Sequence, residues 1–335
     1  MKGPPEVGPI IGESMAIRRA RELIERYAAT SLAILLVGAT GTGKELLARH
    51  IHGRSGRRGR FVGLNCGVLP RDMADGLLFG YDRGAFSGAV KRHRGHVECA
   101  DEGTFLLDEL LCLPMDGQAK LLRVLDSGEF QRLGEETVRY ADVRVIGAVQ
   151  EDVGAQVRAG AFRLDLYQRL AGVVIELPPL ADRPGDIVPL AAHFAAQRQQ
   201  VLEPAAAEEL TRHTWPGNVR ELRLAIERAG CLVNNGTLPR WAIRRAVETG
   251  ATCSRVTEDV HPPALGPKAR AALSACERCG WDTREAAKVL GVTRSTVYER
   301  LKAAGISLRA LRKARAHSEF RWNSDGIPAS ADAPT

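Results

Sequence analysis

The chain has 335 residues, of which 44% are hydrophobic, and a net charge of +7. That size suits one large α/β core with a helical lid and a small separate module. There is no apolar run of about 18 residues, and residues 1–9 lack the apolar core of a signal peptide, so we expect a soluble, cytoplasmic protein without a membrane span. The seven cysteines are scattered and odd in number, which argues against a disulfide framework. Only Cys276 and Cys279 have metal-like spacing, and because no second pair accompanies them they predict helix packing.

The first chemical motif is a glycine-rich loop that directly follows the apolar run Ile34-Leu35-Leu36-Val37. Such a continuous run is typical of a parallel strand buried on both faces. Glycines let successive backbone N–H groups turn toward phosphates, the next helix adds its positive end, and Lys44 reaches the outer phosphates. Glu45 stands where a Ser or Thr hydroxyl usually binds Mg²⁺, which leaves the metal to phosphates, water and a second acidic motif. The predicted nucleotide-binding residues of this loop are Gly38, Ala39, Thr40, Gly41, Thr42, Gly43, Lys44 and Glu45.

Between this loop and the acidic motif lies the hexapeptide of residues 84–89, Gly-Ala-Phe-Ser-Gly-Ala. The glycines on both sides allow the backbone to project. Phe86 has only Ala and Ser around it and therefore little local apolar cover. It is either a plug in the core or a contact with a partner.

The acidic motif is Asp108-Glu109, which ends a second apolar run that begins near Thr104. At the carboxyl edge of a parallel sheet, beside the phosphate loop, Asp108 can organise Mg²⁺ and Glu109 can orient and polarise the attacking water. Two acids after a strand also fit a solvated strand end. Their pairing with the upstream loop favours the catalytic interpretation.

The C-terminal part predicts a second function. Residues 268–316 hold twelve Lys and Arg against four Asp and Glu, a net charge of +8, so the rest of the chain sums to −1. A surplus confined to one segment indicates a polyanion-binding module. Residues 283–301 predict a helix, a turn at Gly291 and a second helix that opens at Thr293 or Arg294 and faces base edges in the major groove. A solvated or purely packing helix pair is the alternative. The predicted DNA-binding residues are Thr293, Arg294, Ser295, Thr296, Tyr298 and Arg300, over a core of Ala287, Leu290, Val292, Val297 and Leu301.

From Gly12 to Arg240 the order of motifs resembles the AAA+ domain of bacterial enhancer-binding proteins, the ATPases that activate RNA polymerase carrying sigma-54. Residues 283–301 resemble the Fis-type helix-turn-helix that closes most of these proteins. The resemblance implies an AAA+ P-loop α/β fold with a parallel sheet and helical lid, plus a small all-α DNA-binding domain. The motifs that carry it are Gly41 to Glu45, Leu64-Asn65-Cys66, Leu78-Phe79-Gly80, Gly84 to Ala89, Phe162 to Leu170, Leu177-Pro178-Pro179-Leu180 with Arg183, and Trp215 to Leu222.

The resemblance also implies roles for residues around the nucleotide. Asn65 would restrain Glu109 until nucleotide and target are engaged, and Arg220 would be the sensor II arginine. Gln150 occupies the sensor I position, where the family usually has Asn, and Val149 precedes it in place of Thr. Glu45 is the residue that the family itself carries after the loop lysine.

Two further segments concern contacts between molecules. The resemblance makes Arg163 and Arg169 candidate arginine fingers, which stabilise transferring phosphate charge in a neighbouring subunit. Fingers that act in trans require a closed ring, expected to be a hexamer. The sigma-54 contact loop would be Gly84, Ala85, Phe86, Ser87, Gly88 and Ala89, with Ser87 in place of the usual Thr.

The sequence therefore predicts an ATP- and Mg²⁺-dependent activator that binds upstream promoter DNA and remodels the closed complex of sigma-54 RNA polymerase. Two alternatives stay open: a DNA-binding regulator that keeps the AAA+ fold without remodelling sigma-54, and a general AAA+ remodeller or protease-like ATPase. Because few residues precede the AAA+ pattern, we expect no N-terminal regulatory domain, and control by expression, by a regulatory protein in trans or by the DNA. The predicted boundaries are 1–11 for a short N-terminal segment, 12–180 for the α/β subdomain, 181–249 for the lid, 250–267 for a linker, 268–316 for the helix-turn-helix domain and 317–335 for a disordered tail.

Overall fold

The structure, a computed structural model, describes residues 8–150, 153–233, 236–258, 271–272, 275–276, 279, 283–303, 321–322 and 328–329. The chain divides into two compact units, Met1–Gly250 and Ala251–Thr335. In chain order, the helices and strands that begin in the first unit are α1 (Met15–Tyr27), β1 (Ile34–Val37), α2 (Lys44–Arg54), β2 (Phe61–Asn65), α3 (Ala74–Phe79), β3 (Gly80–Tyr81), β4 (His93–Arg94), α4 (His96–Cys99), β5 (Thr104–Asp108), α5 (Met115–Ser127), β6 (Glu129–Phe130), β7 (Arg139–Tyr140), β8 (Arg144–Val149), α6 (Val153–Arg158), α7 (Leu164–Leu170), β9 (Val173–Glu176), α8 (Ile187–Ala196), β10 (Val201–Leu202), α9 (Pro204–Thr211), α10 (Asn218–Cys231), β11 (Thr237–Leu238) and α11 (Arg240–Glu258).

A parallel sheet of five strands, in the order β2-β5-β8-β1-β9, forms the frame of the first unit. Ile34 in β1 lies opposite Ile146 in β8 on one side and Val173 in β9 on the other. Every residue of β8 is buried, as expected for a central strand covered on both faces. Because the strands are parallel, their carboxyl ends meet at one edge, where the phosphate loop, Asp108 and Gln150 follow three neighbouring strands.

Apolar side chains cover both faces of the sheet. Leu35 packs in one core cluster with Leu121 of α5 and Leu166 of α7. Leu36 packs in the other, with Ile24 of α1 and Leu47 of α2. Successive strand residues point to opposite faces, so the apolar run of β1 supplies both cores at once. The predicted α/β class is confirmed.

Helices α8 to α11 surround a separate apolar core that contains Trp215. The Trp215 indole is buried and donates to the Leu210 carbonyl at 2.9 Å. Helix α11 continues to Glu258, whereas we predicted the lid to end at residue 249 and a linker to follow. Gly250 lies within this helix, and one glycine costs only about 1 kcal/mol relative to alanine, which is too little to end it. Although α11 has 19 residues, no helix in the described part is both long and apolar enough to span a membrane.

Among the described residues of the second unit, Thr283–Val289 and Arg294–Ala303 form helices, as the pattern predicts. The turn between them places Gly291 at φ +63°, in the left-handed region. The predicted core is confirmed, because Ala287, Val297 and Leu301 are buried and Leu290 and Val292 pack against them.

The cysteines with metal-like spacing also belong to this small core. Cys276 is buried in it and Cys279 packs against it, which confirms the packing interpretation. Within the described ranges, no group of three His, Cys, Asp or Glu residues could hold a metal ion.

Four residues of the predicted tail, 317–335, are described. Arg321–Trp322 and Pro328–Ala329 form a short antiparallel pair, with Trp322 opposite Pro328. The other residues of the predicted tail, and residues 259–267 of the predicted linker, lie outside the described ranges.

Candidate functional site

A cavity of about 550 Å³ lies at the carboxyl edge of the sheet, between the phosphate loop and the lid. Its walls come from segments that are far apart in the sequence and that the sheet and lid bring together. The predicted nucleotide-site residues that line it are Thr40, Gly41, Thr42, Gly43, Lys44, Glu45, Asn65, Asp108, Glu109, Gln150 and Arg220.

Lys44 sits at the start of α2 with its ammonium folded over the loop. Its Nζ donates to the Gly38 carbonyl at 2.6 Å and to the Ala39 carbonyl at 3.1 Å. Burial lowers the pKa of Lys44, and the nearby Asp108 carboxylate opposes that shift. Gly43 caps the helix at φ +112°, with open space where a side chain would stand. An ammonium beside an open helix N-terminus fits the phosphates of a nucleotide.

The lid is docked on the back of the phosphate loop. The Asn218 side chain, the Arg220 backbone N–H and the Arg183 guanidinium donate to the carbonyls of residues 40, 41 and 42, at 3.0, 3.3 and 3.0 Å respectively. Gly41 has φ +78°, and a Cβ there would clash with a backbone oxygen of the lid. The close approach therefore requires glycine at this position.

The segment of residues 8–11 forms part of the cavity wall and is tied to the lid just beyond it. The fully buried Asp186 carboxylate accepts from the Glu13 N–H at 2.7 Å, the Ser14 N–H at 2.9 Å and the Ser14 hydroxyl at 2.6 Å. Gly12 has φ +126°, and a Cβ there would lie 2.7 Å from the Asp186 carboxyl carbon. We assigned no site residue to this segment from the sequence. The sequence feature that could have indicated this segment is the apolar pair just before Gly12. Together with side chains of the lid, the segment forms an apolar wall of the cavity: Ile10, Ile11, Leu190, Phe194 and Val219.

The side chains of Asn65 and Glu109 both lie close to Gly67. Asn65 ends β2 directly opposite Asp108 at the end of β5. The Asn65 Oδ1 accepts from the Gly67 N–H at 2.7 Å. A Cβ on Gly67 would lie 3.1 Å from that oxygen and would clash with the Glu109 carboxylate. Glu109 has φ +51°, a left-handed conformation that is strained for a non-glycine residue and is common at functional sites.

Two other predicted nucleotide residues make contacts within the chain. The Gln150 Oε1 accepts from the Thr40 hydroxyl at 2.7 Å, which joins the end of β8 to the phosphate loop. Glu45 pairs with Arg49 at 2.7 Å along α2 and is largely exposed. The Asp108 carboxylate lies at the same sheet edge, close enough to the Lys44 ammonium to interact with its charge.

Arg163 and Arg169 lie at the two ends of α7, and in the described part of the chain neither lines the cavity. Arg163 donates to both carboxylate oxygens of Asp165, at 3.0 and 2.7 Å, and these hydrogen bonds raise the pKa of Arg163. Arg169 donates to the Leu125 carbonyl at 3.0 Å and pairs with Asp126 at 3.0 Å. A single chain therefore does not bring these arginines to its own phosphate loop.

Residues 84–89 form the tip of a hairpin whose strands are β3 and β4. Gly84 has φ +83° and Gly88 φ +109°, conformations that favour glycine and let the tip turn sharply. Phe86 is 40% exposed and packs edge-on against Tyr81, with ring centroids 5.0 Å apart. Phe86 is therefore a supported surface residue and not a core plug.

In the second unit, the start of the second helix is held by its own side chains. The Thr293 hydroxyl accepts from the Thr296 N–H at 3.3 Å and lies 2.8 Å from the Ser295 hydroxyl, which makes Thr293 the helix cap. Arg294 donates through Nε to the Thr283 hydroxyl at 3.1 Å. Arg294 and Ser295 are exposed. The side chains of Tyr298 and Arg300, which were also predicted to bind DNA, lie outside the described part.

Three consecutive segments of the chain match known families. Residues 10–176 match the Sigma-54 interaction domain, residues 181–259 the AAA+ ATPase lid domain, and residues 273–303 the Bacterial regulatory protein, Fis family. These matches confirm the predicted AAA+ fold with its helical lid and the Fis-type helix-turn-helix.

Individual relatives agree with these families. The Sigma54-dependent transcriptional regulator SfnR of Pseudomonas fluorescens is 38% identical over 310 residues, which cover 84% of this chain and 84% of that protein. The Nif-specific regulatory protein of Azotobacter vinelandii is 38% identical over 321 residues, 90% of this chain and 60% of that protein. The crystal structure of NtrX from Brucella abortus in complex with ATP is 30% identical, with a TM-score of 0.63 over 89% of this chain and 70% of that one. The chain thus spans only part of the length of several relatives.

The docking of the lid can be tested at Asn218, whose Oδ1 accepts from the Leu180 N–H at 2.7 Å and whose φ is +54°. We expect Asn218→Ala to lower the free energy of unfolding by about 3 kcal/mol, because a buried N–H loses its acceptor and alanine is strained at this φ. Asn218→Gly removes the same hydrogen bonds without the strain, so its loss should be smaller by roughly 1 kcal/mol. Urea unfolding followed by tryptophan fluorescence measures both. If Asn218→Gly lowered the free energy of unfolding as much as Asn218→Ala or more, backbone strain at residue 218 would be contradicted.

Proposed function

The chain belongs to the family of sigma-54-dependent transcriptional regulators, and on this premise we propose that it hydrolyses ATP to remodel the closed complex of sigma-54 RNA polymerase at promoters bound by its C-terminal module. One observation carries the proposal. Lys44, Asp108, Glu109 and Arg220 converge on one cavity, in a unit that also presents the exposed Phe86 on a hairpin tip. The likeness to NtrX in complex with ATP supports ATP as the nucleotide.

The cavity residues suit phosphoryl transfer to water. Lys44 and the N–H groups of the loop bind the phosphates, and Arg220 approaches them from the lid. Asp108 would hold Mg²⁺, and the metal would supply positive charge that stabilises the phosphate oxygens during transfer. Glu109 orients and polarises the attacking water, and Asn65, which lies beside the same Gly67, restrains Glu109.

The arginine fingers act in the next subunit. Arg163 and Arg169 are held by Asp165 and by the Leu125 carbonyl of their own chain, away from its own cavity. A neighbour that presents them to the phosphates gives a heterologous interface, and such interfaces close into a ring, here a hexamer. An arginine finger accelerates hydrolysis by about 10³- to 10⁵-fold, so hydrolysis depends on assembly.

The hairpin tip and the second unit each bind a partner. Residues 84–89 contact sigma-54, with Phe86 supported from below by Tyr81 and with the Ser87 hydroxyl exposed beside it. The basic second unit binds upstream promoter DNA through the helix Arg294–Ala303. Because its proposed partners are polymerase and promoter DNA, we expect the protein to act in the cytoplasm. The alternative is a DNA-binding regulator that keeps this fold without remodelling sigma-54.

The placement of Glu109 can be tested by replacing each of two nearby glycines, Gly67 and Gly63, with alanine. Gly67→Ala should displace the Glu109 carboxylate and lower ATP turnover roughly 10- to 100-fold, because misplacement of about 1 Å has that effect, while ATP binding stays close to wild type. Gly63→Ala is the matched control, since its Cβ would meet only ordinary contacts, at 3.7 Å from Phe61 and 4.0 Å from Leu106. Glu109→Gln should bind ATP without turning it over. Turnover assays and fluorescent-nucleotide titration measure these effects, and unchanged turnover in Gly67→Ala would refute the placement.

The contact loop is tested by separating hydrolysis from activation. Phe86→Ala should leave basal ATP turnover within a few-fold of wild type, because Phe86 lies outside the cavity, and should abolish open-complex formation with sigma-54 polymerase. Ser87→Ala should impair activation, whereas Ser87→Thr should preserve it. Val90→Ala, which removes an exposed apolar side chain just outside the hexapeptide, should change neither activity. Joint loss of both activities with a lowered melting temperature would contradict the contact role, and full activation by Phe86→Ala would favour the DNA-binding regulator.

DNA recognition is tested at Arg294 against its partner in the first helix. On a duplex selected from a random library by the wild-type chain, Arg294→Ala should weaken binding by about 1–3 kcal/mol and relax base preference at one position. Thr283→Val removes only the hydroxyl that Arg294 bonds and should have a much smaller effect. Fluorescence anisotropy across a salt series measures both variants. If both variants lost the same DNA affinity, Arg294 would act by stabilising the helix-turn-helix through Thr283 and not by reading a base.

A further inference from the structure

One buried amide connects the acidic motif to the finger helix. Gln118 lies in α5 and is fully buried. Its Nε2 donates to the Leu113 carbonyl at 2.8 Å and to the Ala161 carbonyl at 3.1 Å, and its Oε1 accepts from the Arg163 N–H at 2.9 Å. Both ends of the amide are therefore bonded to main chain, on two segments that are distant in the sequence.

The first of these segments begins at the catalytic acid. Glu109 starts the short turn Leu110–Cys112, and its carbonyl accepts from the Cys112 N–H at 2.9 Å. Leu113 is the residue that ends this turn, and its N–H donates to the Leu110 carbonyl at 3.0 Å. The carbonyl that Gln118 binds thus belongs to a hydrogen-bonded unit whose first residue is Glu109.

The second segment begins the finger helix. Arg163 is the N-cap of α7, and Gln118 bonds its backbone N–H and the carbonyl two residues before it. The Arg163 guanidinium is in turn held by Asp165 in the first turn of the helix. The backbone position that Gln118 sets is therefore the position from which the guanidinium is presented.

The Gln118 amide bonds main-chain groups, which sets it apart from the apolar residues that pack the same helix. The other buried residues of α5 toward the core include Leu121 and Val124, which fill space without polar atoms. Burying a glutamine is unfavourable unless its polar atoms are bonded, and an apolar side chain of similar size would serve packing alone. All three side-chain hydrogen bonds of Gln118 go to the turn after Glu109 or to the start of α7.

We propose that Gln118 is a positioning residue that fixes the start of the finger helix against the turn after Glu109, so that the acid of one site and the finger offered to the next site move together. The proposal rests on the proposed function, because it requires Arg163 to act in a neighbouring subunit. It predicts that loss of the Gln118 amide damages the finger a subunit donates more than the site that the subunit contains.

Full-chain Gln118→Met, which keeps the size and removes the amide, tests this. Alone, it should lower kcat for ATP roughly 10- to 100-fold with KM changed by less than about threefold, because the finger is misplaced while the nucleotide cavity is intact. Mixed in equal amounts with Glu109→Gln, it should recover roughly a quarter of wild-type turnover, since in random rings half of the sites are competent and half of those have a sound donor.

A second mixture gives the opposite expectation. Gln118→Met mixed with Arg163→Ala should not recover activity, because both subunits donate poor fingers. Recovery in this mixture without recovery against Glu109→Gln would place the defect in the variant's own site and overturn the proposal. Arg163→Ala mixed with Glu109→Gln is the reference: no rescue there would refute trans action itself, whereas rescue there alone would refute only the role of Gln118.

Two further variants separate positioning from stability. Val124→Ala lowers packing on the same helix and should reduce the melting temperature without reducing kcat. Gln118→Glu keeps the acceptor for the Arg163 N–H and should show activity between wild type and Gln118→Met, rising as the pH is lowered and a protonated carboxyl regains a donor. Wild-type kcat in Gln118→Met, or failure of both Gln118 variants to fold, would assign Gln118 no role beyond structure.

Discussion

The donation of three hydrogen bonds from the lid to successive carbonyls of the phosphate loop is the constraint on which the site depends. A loop that turns its N–H groups toward phosphates must turn its carbonyls away, and buried carbonyls need donors. Here Asn218, Arg220 and Arg183 supply those donors. A change in the loop on nucleotide binding or phosphate loss must therefore move the lid or break these bonds, which couples the chemistry to the position of a whole subdomain.

Other buried polar side chains likewise join separate segments around the cavity. Burial lowers the pKa of the Arg183 guanidinium, which Asp186 opposes at 3.9 Å, and Asp186 also anchors the segment that ends at Ser14. On the other side of the sheet edge, Gln118 joins the turn after Glu109 to the finger helix. Buried polar groups that are hydrogen-bonded favour discrete arrangements, because breaking such bonds in the interior is costly. Hydrogen bonds thus connect the phosphate loop to the lid, and the turn after Glu109 to the start of α7.

Local patterns predicted the parts of the site that one stretch of chain defines. Lys44 and Asp108 each follow an apolar strand, and parallel pairing alone brings them to one edge. The contributions of Asp186 and Gln118 could not be predicted in this way, because their partners lie up to 173 residues away and no periodicity records them. The same limit applies to Thr293, where the sequence places a polar residue at a helix start and only the structure shows that its hydroxyl caps the helix.

Open-complex formation in a reconstituted system tests the central claim most directly. The full chain would be added to sigma-54 polymerase on a promoter with an upstream site, with ATP, with a non-hydrolysable analogue, or with ATP and polymerase carrying a different sigma factor. We expect strand opening only with ATP and sigma-54, because remodelling needs turnover at the Lys44 cavity and contact at the Phe86 loop. Opening with the analogue, equal opening with the other sigma factor, or ATP turnover without any opening would contradict the claim.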